Sequence, residues 1–219
     1  MHTTELSEQL TTAGVVPVIS IADACNALPM ADALVLGGLP IVEITFRTPA
    51  AAEVIRILRR ERPNVFVGAG TVLTMENLQS AKDAGAQFAV APGLNPEIVQ
   101  AAQRLGLPFM PGVATAGEIE RALSLGCKLL KFFPAELLGG VEMVVALTAP
   151  YSHTGVRFVP TGGVTASNLE AYLRCESVTA VGGTWLAPKE DVTSDNWEAI
   201  TQRCCDAVKQ VRKLRGTSR

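Results

Sequence analysis

The chain has 219 residues, of which 48% are hydrophobic and 18% charged, with a formal net charge of −2 and a pI near 5.8. That balance excludes disorder as the main state and offers no basic footprint for nucleic acid. No run of about 18 apolar residues is free of charges or glycine clusters, so no membrane-spanning helix is expected, and the length supports a core without disulfides.

The start, Met1 to Thr12, carries Glu5 and Glu8 in place of a basic leader, so no signal peptide is expected. A helix-like stretch, Leu6–Ala13, precedes the first apolar run and is expected to cap the bottom of the fold. Eight short runs rich in Val, Ile and Phe then recur: Val15–Ser20, Ile41–Thr45, Val65–Ala69, Phe88–Ala91, Pro108–Pro111, Leu129–Phe133, Val156–Pro160 and Val178–Val181. Being almost continuously apolar, they read as parallel strands covered on both faces. Helical spacing marks Ala50–Arg60, Met75–Ala84, Pro96–Leu105 and Ala116–Leu125, with stops near Gly37, Gly85, Gly106 and Gly126. Helix starts are expected at Thr48 before Pro49, at Asn95 before Pro96, and at Thr115, where Glu118 completes a capping box. Trp197–Leu214 reads as a last outer helix. Strand–helix units repeating every ~20–25 residues predict an α/β fold, a single (β/α)8 TIM barrel with an extra N-terminal helix, filling residues 1–219 as one domain. An open doubly wound sheet is the main competitor.

Five cysteines, Cys25, Cys127, Cys175, Cys204 and Cys205, are odd in number and scattered, so a reducing cytoplasm is expected and each reads first as a buried small hydrophobe or an incidental thiol. Metal chemistry is disfavoured, because His2 falls in a start expected to be disordered and His153 in a loop of turn residues. No G-x-G-x-x-G or Walker loop is present, so no dinucleotide cofactor is indicated.

In a barrel of this kind the chemistry sits where strands end. Of the six lysines, Lys131 alone has two apolar residues on each side, in Leu129-Leu130-Lys131-Phe132-Phe133. Burial disfavours an ammonium, and a neutral amine in a dry pocket attacks a ketone to form a Schiff base. The competing reading is a lysine that snorkels to water or pairs with a carboxylate. Glu43 is the second embedded charge, on one strand face with Ile41 and Thr45 and with Arg47 next in register. It is a candidate acid/base; the alternative is an ion pair with Arg47 or Lys131 that only fills the interior. Arg47 offers a planar fork for a carboxylate. Gly162-Gly163 after the seventh run and Gly182-Gly183-Thr184 after the eighth suit a phosphate, with Thr165 capping the short helix that follows the first pair. Thr71, in Gly68-Ala69-Gly70-Thr71, either hydrogen-bonds a substrate carboxylate or caps the next helix. Ala91-Pro92-Gly93 and Pro111-Gly112 read as turns first and pocket wall second.

With these residues assembled, the chain resembles the bacterial 2-keto-3-deoxy-6-phosphogluconate (KDPG) and 4-hydroxy-2-oxoglutarate (KHG) aldolases, from about Gly14 to Pro188. The resemblance is carried by Val16-Pro17-Val18-Ile19, Val42-Glu43-Ile44-Thr45-Phe46-Arg47-Thr48, Val67–Leu73, Gly85-Ala86-Gln87-Phe88, Lys131-Phe132-Phe133-Pro134-Ala135-Glu136, Pro160–Val164 and Gly182–Leu186. It implies a class I, metal-independent aldolase in the cytoplasm with no cofactor, usually a homotrimer, acting on a 2-oxo acid sugar phosphate with neither nucleic acid nor membrane as partner. In that family pattern Lys131 forms the Schiff base and Glu43 shuttles the proton. Arg47 and Thr71 hold the pyruvate carboxylate, and Pro92 and Phe133 pack beside it. Thr161, Gly162, Gly163, Gly183 and Thr184 match the stretches that bind the far hydroxyls and phosphate. Two departures stand out: Thr184 replaces a common serine and crowds the phosphate pocket, and Ala91 removes a hydroxyl. The resemblance implies cleavage of 2-dehydro-3-deoxy-6-phosphogluconate and acceptance of 4-hydroxy-2-oxoglutarate. Rival readings are an aldolase for a C4-epimeric, galactonate-derived substrate, a sugar-phosphate isomerase or epimerase without a covalent step, and a non-catalytic sugar-phosphate sensor.

Overall fold

The computed structural model describes residues 3–216; the expectations for Met1 and His2 lie outside the described residues. Helix α1 (Thr3–Ala13) leads into β1 (Val15–Ile19), α2 (Ala27–Leu36), β2 (Ile41–Thr45), α3 (Ala51–Glu61), β3 (Phe66–Gly70) and α4 (Met75–Asp83). Next come β4 (Phe88–Val90), α5 (Pro96–Arg104), β5 (Phe109–Met110), β6 (Gly112–Val113), α6 (Ala116–Ser124) and β7 (Leu129–Phe132). The chain continues through α7 (Gly140–Thr148), β8 (Arg157–Pro160), α8 (Leu169–Leu173), β9 (Val181–Gly183), α9 (Lys189–Thr193) and α10 (Trp197–Arg215).

The strands form a curled parallel sheet in two pieces, ordered β5-β4-β3-β2-β1-β9 and β6-β7-β8, with isolated bridges Phe158↔Val178 and Thr161↔Gly182 between the end strands. The run expected as one strand over Pro108–Pro111 is two short strands flanking Pro111. Proline has no N–H for a ladder, and here its carbonyl instead accepts from Lys131 N at 2.9 Å. The last strand also lies later than Val178–Val181. Thr179 N bonds to Phe158 O, so this stretch leans on β8 before Val181–Gly183 pairs with β1.

Side-chain alternation sorts the core into two layers. On the inner face Val16, Ile41, Phe66, Phe88, Met110, Leu129 and Val159 pack with Leu6 and Leu10 of α1, so the first helix does close the bottom of the sheet. Phe88 stacks on Phe66 with centroids 5.3 Å apart, in space left by Gly68, whose Cβ would lie 2.1 Å from the Phe88 ring. Burying such a ring is worth about 1.5–3 kcal/mol. On the outer face Val42, Ile44, Val67, Ala69, Leu130 and Phe132 meet the helices.

Helix ends follow local chemistry. Thr115 and Glu118 form the expected capping box, and Asn95 caps α5 through Glu97 N. Thr48 does not cap α3; its hydroxyl donates to Ile21 O, and the helix starts after Ala50. Gly85 N bonds to Lys82 O and Ala86 N to Ala81 O, a Schellman closure. The same pattern ends α2, α5 and α6, with Gly38 rather than Gly37 taking the left-handed position. Nor does Thr165 cap α8, which begins at Leu169; the Asn168 side chain accepts from Thr165 N instead.

All five cysteines are free, and burial pushes the Cys204 thiol up to about 12, leaving it an inert packing group. Among the described residues no helix is long and apolar enough to cross a membrane.

Candidate active site

One step up the inner face from the apolar floor, the hydrophobic series is broken. Ile41 gives way to Glu43 on β2, and Leu129 to Lys131 on β7. Both charges are buried, 3% and 5% exposed, and Lys131 Nζ lies 3.3 Å from Glu43 Oε1. The pair is therefore Glu43–Lys131; Arg47 makes no ion pair among the described residues. A buried pair is poor evidence of a stability role, because desolvation offsets much of the attraction. Two groups that can exchange a proton, walled by apolar residues at the C-terminal ends of strands, suit chemistry better.

The backbone makes room for them. A Cβ on Gly70 would fall 2.1 Å from Glu43 Oε1, so this position at the end of β3 must lack a side chain for the carboxylate to point at Lys131. Gly70→Ala is expected to lower stability by about 1–3 kcal/mol in denaturant unfolding, as overpacking does. Wild-type stability would mean the carboxylate moves off Gly70 without cost.

Phe133 lies beside the amine, its ring centroid 5.7 Å from Nζ, and packs on Gly162, whose Cβ would approach the ring to 3.2 Å. Thr71, directly after Gly70, holds φ +58°, a strained conformation for a β-branched residue. It is not a helix cap: Thr74 caps α4 by accepting from Asn77 N. That removes the bland reading of Thr71 and leaves its hydroxyl without a hydrogen bond among the described residues.

The Pro92 carbonyl sits against Gly112, where a Cβ would come within 2.1 Å, so the turn after β4 packs tightly beside the strand next to Lys131. Thr161 is buried and bridges to Gly182, whose own Cβ would meet Thr161 Oγ1 at 2.4 Å. Gly162 and Gly163 both have positive φ, and Gly163 packs on Glu136, whose carboxylate accepts from buried Tyr172. The two glycine pairs thus lie side by side. The helix end expected to point at them is replaced by a five-residue helix that starts later.

Arg47 and Thr184 line one cleft of about 320 Å3 together with Val18, Ser20, Thr45, Ala187 and Lys189. Arg47 is exposed and reaches toward the β9 loop. Ser20 and Lys189 were not singled out from the sequence. Ser20 closes an apolar run, and Lys189 follows Pro188 in a polar stretch, so neither breaks a pattern. Among the described residues no group of three His, Cys, Asp or Glu side chains is placed to hold a metal ion.

Comparison with known proteins adds independent findings. Residues 6–203 match the family model for KDPG and KHG aldolases. The 2-dehydro-3-deoxy-phosphogluconate aldolase of Treponema pallidum is 47% identical over 194 residues, 89% of this chain and 91% of that one. The KHG/KDPG aldolase of Escherichia coli K12 is 43% identical over 199 residues, 91% and 92% of the two chains. A crystal structure of KDPG aldolase from Legionella pneumophila, with pyruvate captured as a covalent carbinolamine, superimposes with a TM-score of 0.89 at 37% identity, covering 94% and 98% of the chains.

Proposed function

This chain belongs to the KDPG and KHG aldolase family, and we propose that it is a class I aldolase cleaving 2-dehydro-3-deoxy-6-phosphogluconate to pyruvate and glyceraldehyde 3-phosphate. The observation that carries the reading is the buried Lys131–Glu43 contact at 3.3 Å. Its support outside the chain is the Legionella relative, in which pyruvate was captured as a covalent carbinolamine.

Breaking C3–C4 beside a plain ketone would leave a poorly stabilised carbanion, whereas a protonated imine accepts the electron pair. In the proposed sequence, Glu43 takes the ammonium proton and the free amine of Lys131 attacks the C2 carbonyl. Protonated Glu43 returns that proton to the carbinolamine hydroxyl, which leaves as water to give the iminium and restores the carboxylate. Glu43 then accepts the C4 hydroxyl proton as C3–C4 breaks, and the bonding pair moves into the iminium to form an enamine. Glyceraldehyde 3-phosphate leaves, C3 is reprotonated, and water releases pyruvate.

Arg47 and Thr71 are assigned to the carboxylate, which requires Arg47 to turn inward from the cleft where it now lies. The strained Thr71, with its hydroxyl unused by the α4 cap, supports that assignment. Pro92 and Phe133 wall the pyruvate moiety, and Thr161, Gly162, Gly163, Gly183 and Thr184 hold the distal hydroxyls and phosphate. The bridges between β8 and β9 and the lone Pro111 break between β5 and β6 support reading the two sheet pieces as one closed (β/α)8 barrel and one domain. We further assign a homotrimer in the cytoplasm. Leu137, Met143 and Val145, large apolar side chains exposed on the segment between β7 and β8, support association, which sedimentation reads directly.

Sodium borohydride with pyruvate tests the chemistry. Activity is expected to be lost irreversibly, with the added mass on the peptide containing Lys131. An isomerase, epimerase or sugar-phosphate sensor would be untouched, and that result would remove the aldolase assignment.

A further inference from the structure

The cleft lined by Arg47 and Thr184 carries two cations, Arg47 and Lys189, and three hydroxyls, Ser20, Thr45 and Thr184, but no carboxylate. Ser20, Arg47 and Lys189 also border an outer cleft of about 480 Å3, and there Asp23 and Asp195 join the lining. An anion is therefore favoured in the inner cleft, where both lining charges are positive, over the outer one, where Asp23 and Asp195 balance the same two cations.

Lys189 is also uncommitted. It makes no ion pair among the described residues, while Asp191, two positions on, is bonded to Arg203 and Asn196. In the proposed function Arg47 turns in to the carboxylate near the reacting carbon. That movement leaves Lys189 as the cation of the inner cleft, next to Thr184 and the glycine pair at 182–183.

We infer that Lys189 is a specificity-determining residue that binds the terminal phosphate of the six-carbon substrate, with Ser20 and Thr184 as hydroxyl partners. It takes no part in recognising a five-carbon dicarboxylate. The inference rests on the proposed aldol cleavage and deepens it. A carboxylate at C5 ends nearer the amine than a phosphate esterified at C6, so the longer substrate carries its terminal anion farther from Lys131. Lys189 is exposed, so its contribution is one screened, charge-assisted contact rather than a buried one.

The test is steady-state kinetics of Lys189→Met and Lys189→Arg on three substrates: 2-dehydro-3-deoxy-6-phosphogluconate, its unphosphorylated analogue and 4-hydroxy-2-oxoglutarate. For Lys189→Met, KM on the phosphorylated substrate is expected to rise about tenfold with kcat within about twofold, the pattern for loss of uniform binding. KM on the other two should hold, Lys189→Arg should restore most of the loss, and the difference from wild type should shrink as salt is raised. Equal KM changes on all three substrates, or none on any, would overturn the inference. The borohydride control separates the two failures. If the wild type traps pyruvate while Lys189→Met binds phosphorylated substrate normally, only the role of Lys189 falls. If the wild type does not trap pyruvate, the aldolase reading falls and this inference falls with it.

Discussion

Lys131→Arg is expected to abolish turnover, with kcat down by about 10^4-fold or more, the scale on which loss of a covalent nucleophile is felt. Arginine keeps the positive charge opposite Glu43, so the buried carboxylate retains a partner. The guanidinium cannot lose its proton in a protein and forms no imine. Lys131→Ala would be a poorer experiment. It would strand Glu43, 3% exposed, without its cation, a loss of about 3–5 kcal/mol that confuses folding with chemistry. Binding of inorganic phosphate, read by calorimetry, should persist in Lys131→Arg, because the glycine pairs at 162–163 and 182–183 are unchanged. Measurable cleavage by the arginine variant would reject the Schiff base.

Glu43→Gln is the second large effect. Glutamine fills the space beside Gly70 but cannot accept a proton, and kcat should fall by about 10^2–10^4-fold, the usual contribution of a positioned acid/base. KM should change far less. A readout specific to proton transfer is exchange of the pyruvate methyl protons with deuterated water, followed by NMR in the absence of aldehyde. That exchange is expected to slow along with cleavage. Normal exchange in Glu43→Gln would assign the proton traffic to another group, and the 3.3 Å contact would then be an ion pair and no more.

Much of this architecture could be read from the chain alone because its strands are apolar on both faces and its helices carry their own punctuation. The breaks in the apolar series at Glu43 and Lys131 stood out for the same reason: a charge amid branched apolar residues needs a partner, and the partner proved to be the other break. What stayed hidden depended on contacts distant in sequence. The fifth strand divides at Pro111 because a proline lies where a ladder N–H is needed. Thr48 matches a helix cap by position, yet its hydroxyl is taken by Ile21 O. Thr71 could be a helix cap on paper, but the cap is Thr74, which has the extended conformation that aims a side chain at the first turn, whereas Thr71 has a positive φ. The cleft shared by Ser20, Arg47, Thr184 and Lys189 joins the ends of β1 and β2 to the segment after β9, residues with no common periodicity. Only closure of the parallel pairing between β9 and β1 brings them together.

The packing of α1 has a consequence for how this protein is handled. Leu6 and Leu10 plug the underside of the sheet directly below the layer that holds the amine and its carboxylate. Dryness at the reacting nitrogen is thus set in part by a segment that touches neither substrate nor any residue assigned to chemistry. Fusion partners, purification tags or trimming at the amino end would be felt as leakage of solvent from beneath, so a sluggish preparation should prompt inspection of its first turns before its catalytic groups.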